Sequence, residues 1–231
     1  MMHAPGAFGL VLAILWGGLC SADQRALGAR QLHQPLVAAS VAGLLLGDPL
    51  RGALAGIWLQ LVWPAPLPVG GALLPDTGTA AVAAVIVASL LPGDLGWTVA
   101  LVAGLAVGAL GVAWEAQLRE ANGRREERAL RAGGGWGGAI AGGVAGAFTR
   151  GVAGATLALA LGWILRRAVP WPAATHPWLV WSLLAAASTL AVASLLPRVR
   201  TELAGRGSYL WLGAGLAIGA TGRILLDGIL R

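Results

Sequence analysis

The chain has 231 residues, long enough for one or two domains, and 57% of them are hydrophobic while only 11% are charged. An average soluble domain is about 25% charged. With a mean hydropathy of +0.75, this excludes an ordinary soluble fold and predicts an all-α, polytopic bundle of transmembrane helices. The net charge of +6 is not a nucleic-acid signal, because every one of the 16 basic residues is Arg and they cluster at the ends of apolar runs, as topology determinants do. No nucleic-acid partner is expected; the partner that composition demands is the lipid bilayer.

A helix that crosses the hydrocarbon needs about 20 mostly apolar residues. In chain order, candidate spans are 6–22, 78–92, 96–115, 150–166, 177–196 and 208–229. No Lys or Arg precedes the first run. The charged leader of a secretory signal is therefore missing, and a retained first helix is expected. Most of the 11 tryptophans flank the apolar runs, as an interfacial belt requires. Cys20 is the single cysteine, which excludes an intrachain disulfide and any multi-cysteine metal site.

Residues 35–63 break the pattern. The segments 36–47 and 53–63 are too short to cross comfortably, and Gly47-Asp48-Pro49 separates them. Pro cannot continue a regular helix without losing a hydrogen bond. The favoured reading is a broken, re-entrant hairpin of two short helices within a region that extends over 35–76; two tilted full spans joined at 48–51 are the alternative. Glycines recur at four-residue spacing at Gly43/Gly47, Gly52/Gly56, Gly104/Gly108, Gly215/Gly219 and in the ladder Gly134-Gly138-Gly142-Gly146. This spacing lets neighbouring backbones approach closely. Ordinary helix packing is favoured over a glycine-lined pore or a subunit contact.

Glu115 to Arg131 is strongly charged, and it reads as a cytoplasmic loop over 115–135 that divides an N-terminal half, 1–114, from C-terminal helices, 136–231. A second basic turn holds Arg198, Arg200 and Arg206. Short basic loops stay in the cytoplasm. That leaves the Arg166–Arg167 pair on the other side, against the rule. The whole chain, 1–231, reads as a single integral membrane domain.

Polar residues collect in the N-terminal third, where intramembrane polar groups usually mark a substrate or ion path. Asp23, Asp48 and Asp76, the glutamines Gln31, Gln34 and Gln60, and a run of prolines all lie between Asp23 and Asp76. Asp48, with Gly47 and Pro49, reads as a turn and helix cap. Asp76, after Pro75, fits capping and ligand contact equally. His33 is a packing histidine or a substrate or proton site. Gln60 needs hydrogen-bond partners from the protein or from a polar ligand. Carboxylates and amides beside Trp58 and Trp63 would suit sugar hydroxyls and the apolar sugar face. No hydrolytic, redox, phosphate-loop or dinucleotide motif is present. No catalytic residue, metal or cofactor is therefore expected.

Gln34-Pro35-Leu36-Val37, Gly43-Leu44-Leu45-Leu46-Gly47-Asp48, Gly52, Gly56, Leu59-Gln60-Leu61, Pro68-Val69-Gly70-Gly71 and Pro75-Asp76 together resemble the IIC component of the mannose–fructose–sorbose branch of the bacterial sugar phosphotransferase system. The match covers about 34–76, with a looser extension to Asp23. It implies a subunit of the bacterial cytoplasmic membrane that binds a hexose-like sugar and passes it inward. A IID membrane subunit and soluble IIA and IIB components would be its partners, and IIB would supply the phosphoryl group. The chain itself would not be an enzyme. On this resemblance Asp23, Gln60 and Asp76 are the sugar-contact candidates, with Gln31 and His33 behind them. Gln34 stands where the family usually has Arg, which leaves open a different substrate or a degenerate IIC homologue with a regulatory or scaffold role. An unrelated small oligomeric transporter or channel is the alternative from another class. Gly-rich faces favour a homo- or hetero-oligomer in either case.

Overall fold

The computed structural model describes residues 5–25, 27, 30–63, 74–133 and 137–171. They belong to one compact unit that runs to Ala185; a second unit, Ala186–Arg231, lies outside them, as do the expected spans 177–196 and 208–229 and the turn at Arg198–Arg206. Six helices form among the described residues: α1 (Ala7–Arg25), α2 (Pro35–Leu46), α3 (Pro49–Val62), α4 (Thr77–Leu90), α5 (Gly93–Arg131) and α6 (Gly137–Ala168). The observed class is the helical membrane bundle, with α1, α5 and α6 long and apolar enough to cross a bilayer.

The break between α2 and α3 follows from local chemistry. Pro35 and Pro49 occupy first-turn positions of their helices, where a missing N–H costs nothing. Gly47 ends α2 in the left-handed region with φ 80°, a conformation glycine adopts without a Cβ penalty. Asp48 then caps α3, its side chain accepting from Arg51 N at 3.1 Å. The helices have 12 and 14 residues. At 1.5 Å per residue they reach about 18 and 21 Å, short of the roughly 30 Å hydrocarbon layer. They fold back on each other with backbones in contact: a Cβ on Gly43 would sit 2.7 Å from Gly52 Cα, and one on Gly56 2.7 Å from Leu36 Cα.

α4 is the hub. Its run of Ala, Val and Thr is small enough for α1, α2, α5 and α6 to close around it, and only Ser89 of its residues escapes full burial. Gly104 and Gly108 set α5 against Ala80 and Ala84 of α4. Gly17 and Gly18 of α1 receive Ala155, Phe148 and Val152 of α6. These helices meet through small residues, as packing in lipid favours.

Two expectations need correction. The stretch 115–131 is not a loop but the continuation of α5, which has 39 residues and is about 58 Å long. Glu115–Arg119, Glu120–Arg124 and Glu127–Arg131 are ion pairs one turn apart. Such pairs support a helix whose face is charged, so the charge run marked a solvated helix and not an irregular linker. α6 likewise begins at Gly137, well ahead of the expected span at 150. Gly142 faces Arg125 and Gly146 faces Leu118 of α5, while Gly138 meets nothing within 4 Å.

Candidate functional site

Segment 30–34, between α1 and α2, is where the sequence-predicted residues meet. Asp23, fully buried near the end of α1, folds this segment over itself. Its Oδ1 accepts from Arg30 N at 2.7 Å, and its Oδ2 accepts from His33 N at 3.2 Å and from the His33 ring at 2.8 Å. A carboxylate accepts only, so Nδ1 of His33 carries the proton on that side. The His33 carbonyl in turn accepts from Thr77 Oγ1 at 3.1 Å, which ties the segment to the first turn of α4. Gly78 permits this, since a Cβ there would lie 3.0 Å from His33 Cα.

The amides form a second chain on the same segment. Gln60 Nε2 donates to Gln34 Oε1 at 2.8 Å, Gln34 Nε2 donates to Gln31 Oε1 at 2.8 Å, and Gln60 Oε1 accepts from Leu36 N at 3.4 Å. Gln60 and Gln34 are half-buried and Gln31 is exposed. Gln31 holds φ 72°, the one non-glycine residue with positive φ among those described. An L-residue there carries roughly 1–2 kcal/mol of strain, held by the turn bond from Gln34 N to Gln31 O. Each amide retains an N–H after these bonds, so the row can still donate to a hydroxylated ligand.

Asp76 directly precedes Thr77, which bonds the His33 carbonyl, and is saturated differently. Its Oδ1 caps α4 by accepting from Thr79 N at 3.1 Å. Its Oδ2 accepts from Ser21 Oγ at 2.6 Å and from Arg150 Nη2 at 3.2 Å. The preceding residues are anchored too: Pro75 O accepts from Gln24 Nε2 and Leu74 O from Arg25 Nη2. Trp63 turns its ring onto Gly108 of α5, and Trp58 packs half-buried against the same core. Both rings are thus partly committed to helix packing.

Sequence reasoning missed the charged network beyond Asp76. Arg150 Nη1 donates to Glu115 Oε2 at 2.7 Å. Glu115 also receives Arg25 at 3.0 Å and Arg119 at 2.8 Å. Four helices, α1, α4, α5 and α6, are joined through it. Arg150, Glu115 and Asp76 are nine-tenths buried or more, and Arg25 Nε, Arg150 Nε and Gln24 Oε1 are buried without a hydrogen-bond partner. Glu115 was expected to open the charged loop, and Arg150, at the start of an expected span, counted only among the arginines that end apolar runs. The available signal was that Arg150 is a lone charge amid small apolar residues on its helix, a position where a charge needs a buried partner.

Comparison with known proteins bears on family and fold. The family model for the PTS system sorbose-specific IIC component matches residues 7–128. The PTS system sorbose-specific EIIC component of Lacticaseibacillus casei is 34% identical over 71 residues, 31% of this chain and 25% of that protein. The aligned stretch therefore spans a quarter of the relative's length. A solved structure described as "Structure of membrane protein" superposes with a TM-score of 0.64 at 18% identity, covering 97% of this chain and 96% of the other. A second, the mannose transporter ManYZ in complex with microcin E492, gives 0.52 at 19% identity, covering 94% and 88%. At such identities the likeness is one of fold. The family match runs from α1 into α5, takes in the 30–34 segment and both aspartates, and spans more than half of the chain: the protein belongs to the PTS system sorbose-specific IIC component family.

Proposed function

We propose that the chain is the IIC subunit of a mannose-type phosphotransferase system in the bacterial inner membrane, where it crosses the bilayer several times. It binds a hexose-like sugar on the 30–34 segment and moves it inward, where a soluble IIB partner phosphorylates it. A IID subunit completes the membrane part, and IIA feeds IIB. The observation that carries this reading is the row Gln60–Gln34–Gln31, laid on the same five residues that Asp23 and His33 organise. Amides both donate and accept, which is what vicinal hydroxyls require. Gln60 and Gln31 make the direct contacts. Asp23 and Asp76 spend most of their lone pairs on the chain itself, so they hold the frame and reach the sugar through what remains.

Calorimetric titration of a hexose panel against the chain co-purified with its IID partner tests the assignment. A saturable heat for at least one hexose is expected, with affinity falling about two- to tenfold in Gln60→Ala, the scale of one hydrogen bond to a neutral hydroxyl. No heat with any hexose in the intact complex would overturn it.

A further inference from the structure

At the end of the bundle away from the charged network, a groove of about 660 Å³ opens between the start of α1, the end of α4 and the end of α6. Its wall is apolar (Leu10, Leu90, Leu159 and Trp163) and its rim is Arg166, Arg167 and the hydroxyl of Thr156. Half of the Trp163 surface is exposed, and the Arg167 guanidinium carbon lies over its ring, 3.6 Å from the centroid. No carboxylate pairs with Arg166 or Arg167 among the described residues. This contrasts with Arg119, Arg124 and Arg131 on α5, each of which has a glutamate one turn away. The pair is also misplaced as a topology signal, because the basic length of α5 sits at the opposite end and short basic segments face the cytoplasm. Two unpaired cations beside a ring and an apolar trough match an amphiphile with an anionic head.

The geometry points to a binding site for one anionic phospholipid, its phosphate on Arg166 and Arg167 and an acyl chain along Leu10, Leu90 and Leu159. Arg167 is braced on Trp163, a cation–π contact that fixes the guanidinium and leaves its outer N–H groups for phosphate oxygens. A fork of N–H donors suits phosphate better than a point charge would. Thr156 Oγ1 donates to Val152 O and so keeps a lone pair that accepts from a glycerol hydroxyl.

Native mass spectrometry of the full chain released from micelles tests this. It is equilibrated in turn with phosphatidylglycerol, phosphatidylcholine and inorganic phosphate. One phosphatidylglycerol is expected to stay bound in preference to phosphatidylcholine. The double variant Arg166→Gln/Arg167→Gln should weaken that retention by about thirty-fold, the effect of two arginines at an anionic surface. Arg124→Gln/Arg131→Gln removes the same charge from α5 and should leave retention unchanged. Both pairs are surface residues, so folding is preserved, and an unchanged melting temperature confirms it. Equal retention of the two lipids by the parent chain, or equal losses in the two double variants, overturns the site. Displacement of the lipid by millimolar phosphate overturns the lipid assignment in favour of a simple anion site.

Discussion

Glu115 is the residue whose loss the bundle should tolerate least. It receives Arg25, Arg119 and Arg150, and among the described residues the other carboxylate on Arg150 is Asp76. Three cations against two carboxylates leave one positive charge in excess. Replacing Glu115 by Gln raises the excess to two and turns amide N–H groups toward guanidinium donors. Replacing Arg150 by Met brings the cluster to neutrality, while Glu115 keeps Arg25 and Arg119 and Asp76 keeps Ser21 and Thr79 N. Breaking a buried pair so that a charge stays uncompensated costs about 3–5 kcal/mol. Losing charged hydrogen bonds without stranding a charge costs about 1.5–3 kcal/mol. At roughly 2–4 °C per kcal/mol for a chain of this size, Glu115→Gln should lower the melting temperature by about 6–20 °C, and Arg150→Met by distinctly less. The double variant should fall short of the sum by about 1–3 kcal/mol, because the two residues share one network. Thermal unfolding in detergent, followed by circular dichroism, measures all three. A larger loss in Arg150→Met than in Glu115→Gln, or strict additivity, would refute this account of the charge balance.

Two glycines of the hairpin should respond to the same substitution for different reasons. Gly43→Ala drives a methyl to 2.7 Å from the Asp48 carbonyl oxygen and Gly52 Cα and should cost about 1–3 kcal/mol by overpacking. Gly47→Ala meets nothing within 4 Å but must hold φ 80°, which costs about 1–2 kcal/mol. Gly47→Asn, tolerated in that region, should recover part of that loss, whereas no side chain rescues position 43. Cys20 is fully buried against Leu32 and Gly78, so a maleimide should leave the folded protein unlabelled and react after denaturation; rapid labelling in micelles would contradict the α1–α4 contact. Gln34→Arg supplies donors only, so it cannot accept from Gln60 Nε2. Sugar titration should therefore show changed selectivity with unchanged melting, and an unaltered hexose profile would remove Gln34 from the recognition row.

What the sequence disclosed and what it concealed divide along sequence distance. The hairpin break was legible because its causes are adjacent: Gly47 ends one helix, Asp48 caps the next, and Pro49 starts it within three residues. That Asp23 and Gln60 need partners was legible, because polar groups in an apolar segment must be satisfied, and each finds one on or beside segment 30–34. Charge on α5 misled because a charged run reads alike in a loop and on a solvated helix, and only the turn-spaced Glu–Arg pairs tell them apart. The Arg150 network was hidden by distance: Ser21 and Arg150 are 129 positions apart, and nothing local marks them as neighbours. What brings them together is the packing of α6 on α1, where Phe148, Gly151, Val152 and Ala155 meet Gly17 and Gly18 and carry Arg150 in with them. At that depth an arginine cannot remain interfacial. It must find carboxylates, and Asp76 at the cap of α4 and Glu115 on α5 are the two that the packing of α4 delivers. Asp76 thus joins what was readable to what was not, since the carboxylate that stops α4 from unwinding also anchors the cation that locks α6 against it.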